Sequence, residues 1–258
     1  YVCLEKNIIN KKIKFAFLSF IFLALGASSM QLVLDRGQIL DWFSSDLIFN
    51  LTISAVMFLF VYFLMYFTKS KTLYPKELFF DKNYIGGLIF VFLFGLLLVP
   101  PFILMPDFLS SIGGFPIDKI GIILTTSGIG GMIGTLLASR LLSYGYYKSL
   151  MIVGLIAYMI GQFYMTLWNS DVTMNMMMIN GIIRGLGIGL FYPALATATY
   201  VSLPSKFRDH GASLFQFIRN LGSAVAIAII VILMDRFYKT NMSELSYRVT
   251  DNYNQNEG

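Results

Sequence analysis

Seven predominantly apolar runs follow one another along the chain, at roughly 15–33, 47–67, 84–106, 118–139, 148–167, 173–201 and 212–234. A helix needs about 20 apolar residues to cross a bilayer, and each run is close to that length or longer. No strand-like alternation of apolar and polar positions competes with them. The pattern predicts an all-α, polytopic transmembrane helix bundle of about seven spans. The connectors are short and carry most of the charge, and none is long enough to separate soluble domains.

Composition agrees with lipid as the main solvent. Hydrophobic residues make up 57% of the chain and charged residues 13%, with a mean hydropathy of +0.70. A soluble domain carries about 25% charged residues. The 24 Phe and 14 Met are bulky apolar residues in excess rather than a catalytic set. Cys3 is the lone cysteine, so no intrachain disulfide can form, and His210 is the lone histidine. A His-based zinc or haem site is not expected, and no cofactor or metal is implied. The net charge of +5 could suggest a nucleic-acid partner, but the basic residues lie in short inter-helix loops, where membrane topology places them. The expected surroundings are a lipid bilayer and no nucleic acid. The basic stretch Lys6 to Lys14 before an apolar run resembles a signal peptide, but the run is too long for an h-region and more spans follow. The chain opens at Tyr1 and stops after a polar tail, so the expectation is a fragment of a larger bundle.

Lys and Arg in the loops set orientation. With a cytoplasmic N-terminus, one side holds Lys6, Lys11, Lys12, Lys14, Lys69, Lys71, Lys76, Lys82, Arg140, Lys148, Lys206 and Arg208, against Arg36, Lys119, Arg236, Lys239 and Arg248 on the other. The bias of 12 to 5 predicts N-in and C-out across seven spans. Trp42, Phe43, Tyr84, Trp168 and Tyr200 fall near the interfaces, as an aromatic belt does. A seven-helix receptor or rhodopsin runs the opposite way, and a rhodopsin needs a Lys in its last span, where 212–234 has none.

Small residues recur at spacing four: Gly181, Gly185 and Gly189 in the sixth span, Gly130, Gly134 and Ala138 in the fourth, Gly222 and Ala226 in the seventh. Such faces let helix backbones approach closely. They are candidate helix-packing positions, either static or serving as surfaces along which helices slide. Pro100 and Pro101 fall late in the third span, Pro106 is expected to close it, and Pro193 falls in the sixth. Each proline removes a backbone donor and kinks its helix.

Two arginines lie inside spans. Arg184 sits near the middle of the sixth, where an unpaired charge costs at least about 2.5–3.5 kcal/mol. It must therefore face a partner or a watery cavity, and Asn180 is one turn away on the same face. Arg219 belongs to a stripe with Gln216, Asn220 and Ser223, at i, i+3, i+4 and i+7. That polar face is expected to point into the bundle, although Arg219 could also reach back to the headgroups. Asp107, at the outer end of the third span, is a proton or ion candidate; facing outer water is the other reading. His210 reads as a solvated loop histidine. With no His, Cys, Asp or Glu at depth, a membrane-embedded enzyme lacks a nucleophile–base pair, and no enzymatic activity is expected.

Three segments resemble the fourteen-helix drug:proton antiporters of the major facilitator superfamily, the EmrB/QacA type. Leu34-Asp35-Arg36-Gly37 through Asp41-Trp42-Phe43 resembles that family's L-D-x-G followed by W-F. Pro106-Asp107-Phe108-Leu109 is similar to a Pro-Gln-Tyr-Leu-like segment, with Asp107 in place of the usual Gln. Gly211-Ala212-Ser213-Leu214 to Phe217-Ile218-Arg219-Asn220-Leu221-Gly222 resembles A-S-x-x-N-F-x-R-x-x-G, with Arg219 on the family arginine and Gln216 where Asn is common.

The resemblance implies a bundle of major facilitator type, incomplete here. Residues 1–67 would be a cytoplasmic N-terminal segment and two linker-type helices, and 68–258 a partial C-terminal transporter half of five spans with an external tail over 235–258. It implies a secondary active transporter in a bacterial inner membrane, driving proton-motive efflux of amphiphilic small molecules or drugs by alternating access. Its partners would be a small-molecule substrate, protons and an accessory periplasmic adaptor protein. The substrate-path candidates are Arg184, Gln216, Arg219, Asn220, Ser223, Phe191 and Tyr192; Arg184 matches no family motif and stands there on the physical argument alone. A non-transporting sensor or scaffold derived from the same fold is the second reading.

Overall fold

The computed structural model describes residues 16–68, 73–111, 113–168 and 172–256, without the side chains of 243–256. The basic residues Lys6 to Lys14, Lys69, Lys71 and the Arg248 side chain lie outside the described residues.

Among the described residues the fold is helical throughout. The long helices are α1 (Phe17–Arg36), α2 (Asp46–Thr68), α3 (Lys82–Ser111), α4 (Ile117–Leu142), α5 (Tyr147–Thr166), α6 (Met174–Tyr200) and α7 (Arg208–Asn256). Each is long and apolar enough to cross a membrane, α7 through its stretch up to Met242. Successive helices run up and down through tight connections. Gly114 and Gly145 take φ values of +62° and +84° in the α3–α4 and α4–α5 turns, a backbone region that favours glycine. Pro116 and Pro204 stand just before α4 and before the short 3-10 turn Ser205–Phe207.

Two helix ends differ from the sequence expectation. Pro106 does not close α3, which runs on through Asp107 to Ser111. Proline lacks only a donor and a clash-free neighbour at i−4, and α3 absorbs Pro100, Pro101 and Pro106 within one continuous helix. The segment expected as an external loop from 235 onward instead continues α7 as far as Asn256. No Pro or Gly interrupts the chain between Gly222 and Gly258, and Lys239 pairs with Asp235 one turn away at 2.7 Å, a spacing that supports helix.

α6 lies between α4 and α5, α7 packs along α3, and α1 pairs with α2 and touches α7. Glycine makes these approaches possible. A Cβ on Gly130 would strike the Ile182 carbonyl, and one on Gly134 would come within 2.6 Å of the Leu186 carbonyl. From the facing side, Gly181 lies against Thr126, Gly185 against the Ser127 carbonyl and Gly189 against the Gly131 carbonyl. Gly154 and Gly187 do the same between α5 and α6. Gly95 of α3 meets the Arg219 carbonyl, while Gly222 of α7 meets that of Phe92.

The beginnings of α3 and α7 and the end of α6 are tied together by polar contacts. Asp81 caps α3, accepting the Tyr84 N–H at 3.0 Å. The buried Tyr84 hydroxyl donates to the Gly211 carbonyl at 2.8 Å, and Asn83 Nδ2 donates to the Ala198 carbonyl at 2.9 Å. At the opposite end, Trp42 Nε1 donates to Gln38 Oε1 at 2.8 Å, and Gln38 Nε2 donates to Asp235 Oδ2 at 3.1 Å. Asp41 and Trp42 both adopt positive φ, 55° and 51°, uncommon for residues with a Cβ. This tight turn lays the Trp42 ring against Gly37, where a Cβ would come within 2.7 Å.

Candidate functional site

The sequence-predicted polar residues divide into two groups on α6. The first forms where α6 faces α7. The Tyr192 hydroxyl donates to Gln216 Oε1 at 2.9 Å, and the Arg219 guanidinium carbon lies 5.3 Å from the centre of the Tyr192 ring, within cation–π range. Arg219 Nη2 donates to Asn220 Oδ1 at 3.3 Å. Tyr192 stacks on Phe94 of α3 with centroids 5.8 Å apart, and buried Phe191 meets the same Phe94 at 5.0 Å. Phe215 closes the group, 6.1 Å from Tyr192 and 5.3 Å from Tyr200.

The stripe on α7 does not act as one face. Gln216 and Arg219 reach Tyr192 on α6. Ser223 turns to α3, near the Gly95 carbonyl at 3.5 Å, and also back-bonds to the Arg219 carbonyl at 3.2 Å. Asn220 borders a cavity of about 270 Å³ against α1, lined also by Ser28 and Gln31. Next to it, an apolar cavity of about 500 Å³ lies between α1, α2 and α7, with Tyr62, Tyr66 and Phe217 in its wall. The four positions fall within about 100° of arc and spread over about 10 Å of the axis, and α6, α1 and α3 border that arc from different sides.

Arg184 is separate. It sits eight residues before Tyr192 on α6, about 12 Å along the axis. Only 5% of it is exposed. Its Nη1 donates to Gln162 Oε1 at 3.4 Å and to Met165 Sδ at 3.0 Å, both on α5, and its Nη2 to Met105 Sδ of α3 at 3.3 Å. Its Nε has no partner, and neither polar atom of buried Asn180 has one. No carboxylate among the described residues pairs with it, the ion pair found there being Lys239–Asp235. Asp107 stands at the far end of α3 with its side chain exposed. Among the described residues no cluster of three or more His, Cys, Asp or Glu could hold a metal ion.

Several structural residues had no clear sequence signal. Tyr158 of α5 donates to the Leu97 carbonyl at 2.8 Å. That carbonyl is the one Pro101 cannot pair, since proline has no N–H to return to i−4. Gly154 and Gly161, seven residues apart on α5, were readable as a small-residue face. Gln162, Met105 and Met165 were not readable as neighbours of Arg184, because they come from two other helices.

Comparison with known proteins places this architecture. A family model described as the Major Facilitator Superfamily matches residues 84–242, from the start of α3 into α7. Multidrug resistance protein 3 of Bacillus subtilis (strain 168) is 24% identical over 193 residues, 75% of this chain and 38% of the relative. Multidrug export protein EmrB of Haemophilus influenzae is 26% identical over 213 residues, 81% of this chain and 41% of the relative. Probable multidrug resistance protein EmrY of Escherichia coli (strain K12) is 24% identical over 237 residues, 90% of this chain and 45% of the relative. The chain thus spans less than half the length of these relatives. Seven apolar helices, glycine-tight pairing of α4, α5 and α6, and a family match over more than half of the residues lead to one conclusion: the chain belongs to the Major Facilitator Superfamily.

Proposed function

We propose that this chain works as part of an EmrB-type exporter of amphiphilic small molecules, driven by the proton gradient and operating by alternating access. The observation that carries the reading is the Tyr192–Gln216–Arg219 group, a polar and aromatic surface inside an apolar bundle whose relatives bear multidrug export names. A polar face of this kind is costly against lipid and suits the wall of a substrate path, about 12 Å along α6 from Arg184 near its middle. Tyr192 and Phe191 offer ring faces, and Gln216, Arg219 and Asn220 offer polar contacts to a passing amphiphile. Asp107 is the carboxylate proposed for proton or ion contact at the outer end of α3. The protein resides in a bacterial inner membrane with its N-terminus cytoplasmic and α7 leading outward, and an adaptor protein in the periplasm receives the cargo. It performs no enzymatic conversion.

The test is efflux of a fluorescent cationic dye from cells expressing the full-length product of the gene. Efflux that stops when a protonophore collapses the gradient is expected. A well-expressed, membrane-inserted product without any efflux overturns the reading in favour of a sensor or scaffold on the same fold.

A further inference from the structure

We infer that Arg184 and Asn180 form the head-group site for a carboxylate-bearing amphiphile, whose apolar body occupies the cavity between α5 and α6. This deepens the export reading and rests on it for its role in transport.

Both residues carry unmet polar capacity in the interior. Arg184 stays charged under all ordinary conditions, yet its contacts are one long amide bond and two thioethers, which are weak acceptors. Its Nε donor is unused. Asn180, only 2% exposed, leaves both its amide oxygen and its amide nitrogen unused. A buried polar group without a partner is strongly disfavoured, and a buried cation without a counter-charge more so. The two side chains are four residues apart on α6 and so lie on one face.

Asn180 borders a cavity, and Arg184 lies behind it, packed against Gly161 of the cavity wall. Gly161 of α5 lies against both: a Cβ there would run into Arg184 Cγ and approach Asn180 Oδ1 to 3.0 Å. Gly161 and Asn180 also line a cavity of about 300 Å³, whose other walls include Ile160, Tyr164, Ile179 and Ile183. Ile160 and Ile179 are 57% and 60% exposed, so the cavity opens on the exposed face of α5 and α6. An apolar chain can enter through that mouth, and its head meets Asn180 first with Arg184 just behind.

The chemistry at that end selects a carboxylate. A carboxylate accepts from a guanidinium N–H and an amide N–H at once, in short charge-assisted bonds. A quaternary ammonium head would meet the guanidinium as a like charge. A halide would neutralise Arg184 but leave the aliphatic wall unfilled.

The test uses the full-length protein purified in a non-ionic detergent, with decanoate, decyltrimethylammonium and chloride as probes and thermal unfolding as readout. Decanoate is expected to raise the unfolding temperature of the unsubstituted protein, with decyltrimethylammonium and chloride inert. Arg184→Gln should weaken the decanoate effect at least tenfold in concentration. Should that variant not fold, Ile179→Trp, which fills the exposed mouth without touching the buried pair, should also weaken it. Undiminished decanoate stabilisation in either folded variant overturns the site, as does stabilisation by chloride that decanoate cannot exceed. Decanoate binding that depends on Arg184, in a protein that exports no dye, keeps this site and overturns the export reading instead.

Discussion

The Tyr158 hydroxyl on α5 donates to the Leu97 carbonyl of α3 at 2.8 Å, and Leu97 is the residue whose intrahelical partner Pro101 cannot supply. The kink-prone part of α3 is thus stitched to a neighbouring helix by a side chain 61 residues away. Tyr158→Phe keeps the ring and removes this part-buried hydrogen bond, at a cost of about 1 kcal/mol. A lower unfolding temperature in detergent is expected. An unchanged value would mean that the Leu97 carbonyl has another partner.

Glycines in the same helices should respond oppositely to alanine. At Gly185 a Cβ runs into the Ser127 carbonyl, which is backbone and cannot swing away. Gly185→Ala should therefore destabilise by about 1–3 kcal/mol, the usual cost of overpacking. At Gly121 of α4 nothing lies within 4 Å of the added atom. Gly121→Ala should be neutral or gain about 0.5–1 kcal/mol, because glycine weakens a helix interior. Thermal unfolding of the two variants side by side checks the contrast, and equal losses would refute it.

The cap at the start of α3 makes a pH prediction. Partial burial pushes the Asp81 carboxyl up, but hydrogen bonds from Ser202 and from the Tyr84 and Asn83 amides outweigh it and hold the carboxyl below its ordinary value. A carboxylate with a depressed pKa in the folded state stabilises above its unfolded pKa and loses that contribution as pH falls through the folded value. Asp81→Ala should cost about 0.5–2 kcal/mol near neutrality, as N-cap removal does. The difference from the unsubstituted protein should shrink below about pH 4, as read from unfolding temperatures across a pH series. A gap that stays constant down to pH 3 would remove the charge from the account.

Gln38 and Asp235 connect the α1–α2 pair to α7 by a 3.1 Å hydrogen bond. With Cys3 replaced by Ser, the pair Gln38→Cys and Asp235→Cys should cross-link through a short bifunctional reagent, seen as a shift on a denaturing gel. In the proposed orientation both positions face outward, so an impermeant maleimide should label Gln38→Cys in whole cells and leave Ser205→Cys unlabelled. Labelling of Ser205→Cys alone would invert the orientation.

Much of the scaffold was legible in the linear pattern, because a span announces itself by composition. The predicted start of α2 at 47 and end of α6 at 201 fall one residue from the helix ends Asp46 and Tyr200. Hydropathy reports where a helix can sit in lipid, not where its hydrogen-bond ladder stops. Hence α3 passes Pro106 and α7 continues well beyond 234. The stripe Gln216, Arg219, Asn220 and Ser223 was legible as polar positions, but not as positions facing α6, α1 and α3 in turn.

By itself the chain determined seven apolar spans, small-residue faces on the fourth, sixth and seventh of them, and an arginine near the middle of the sixth. These are local properties, set by side-chain type and helical period. Only the tertiary structure decided that Arg184 meets Gln162, Met165 and Met105 and, among the described residues, no carboxylate, that Tyr192 rather than Arg184 is joined to Gln216 and Arg219, and that Tyr158 takes up the carbonyl Pro101 leaves free. Each of these depends on which helices lie side by side. That choice is made by glycine-sized gaps on facing surfaces, whose fit appears only when two helices are brought together.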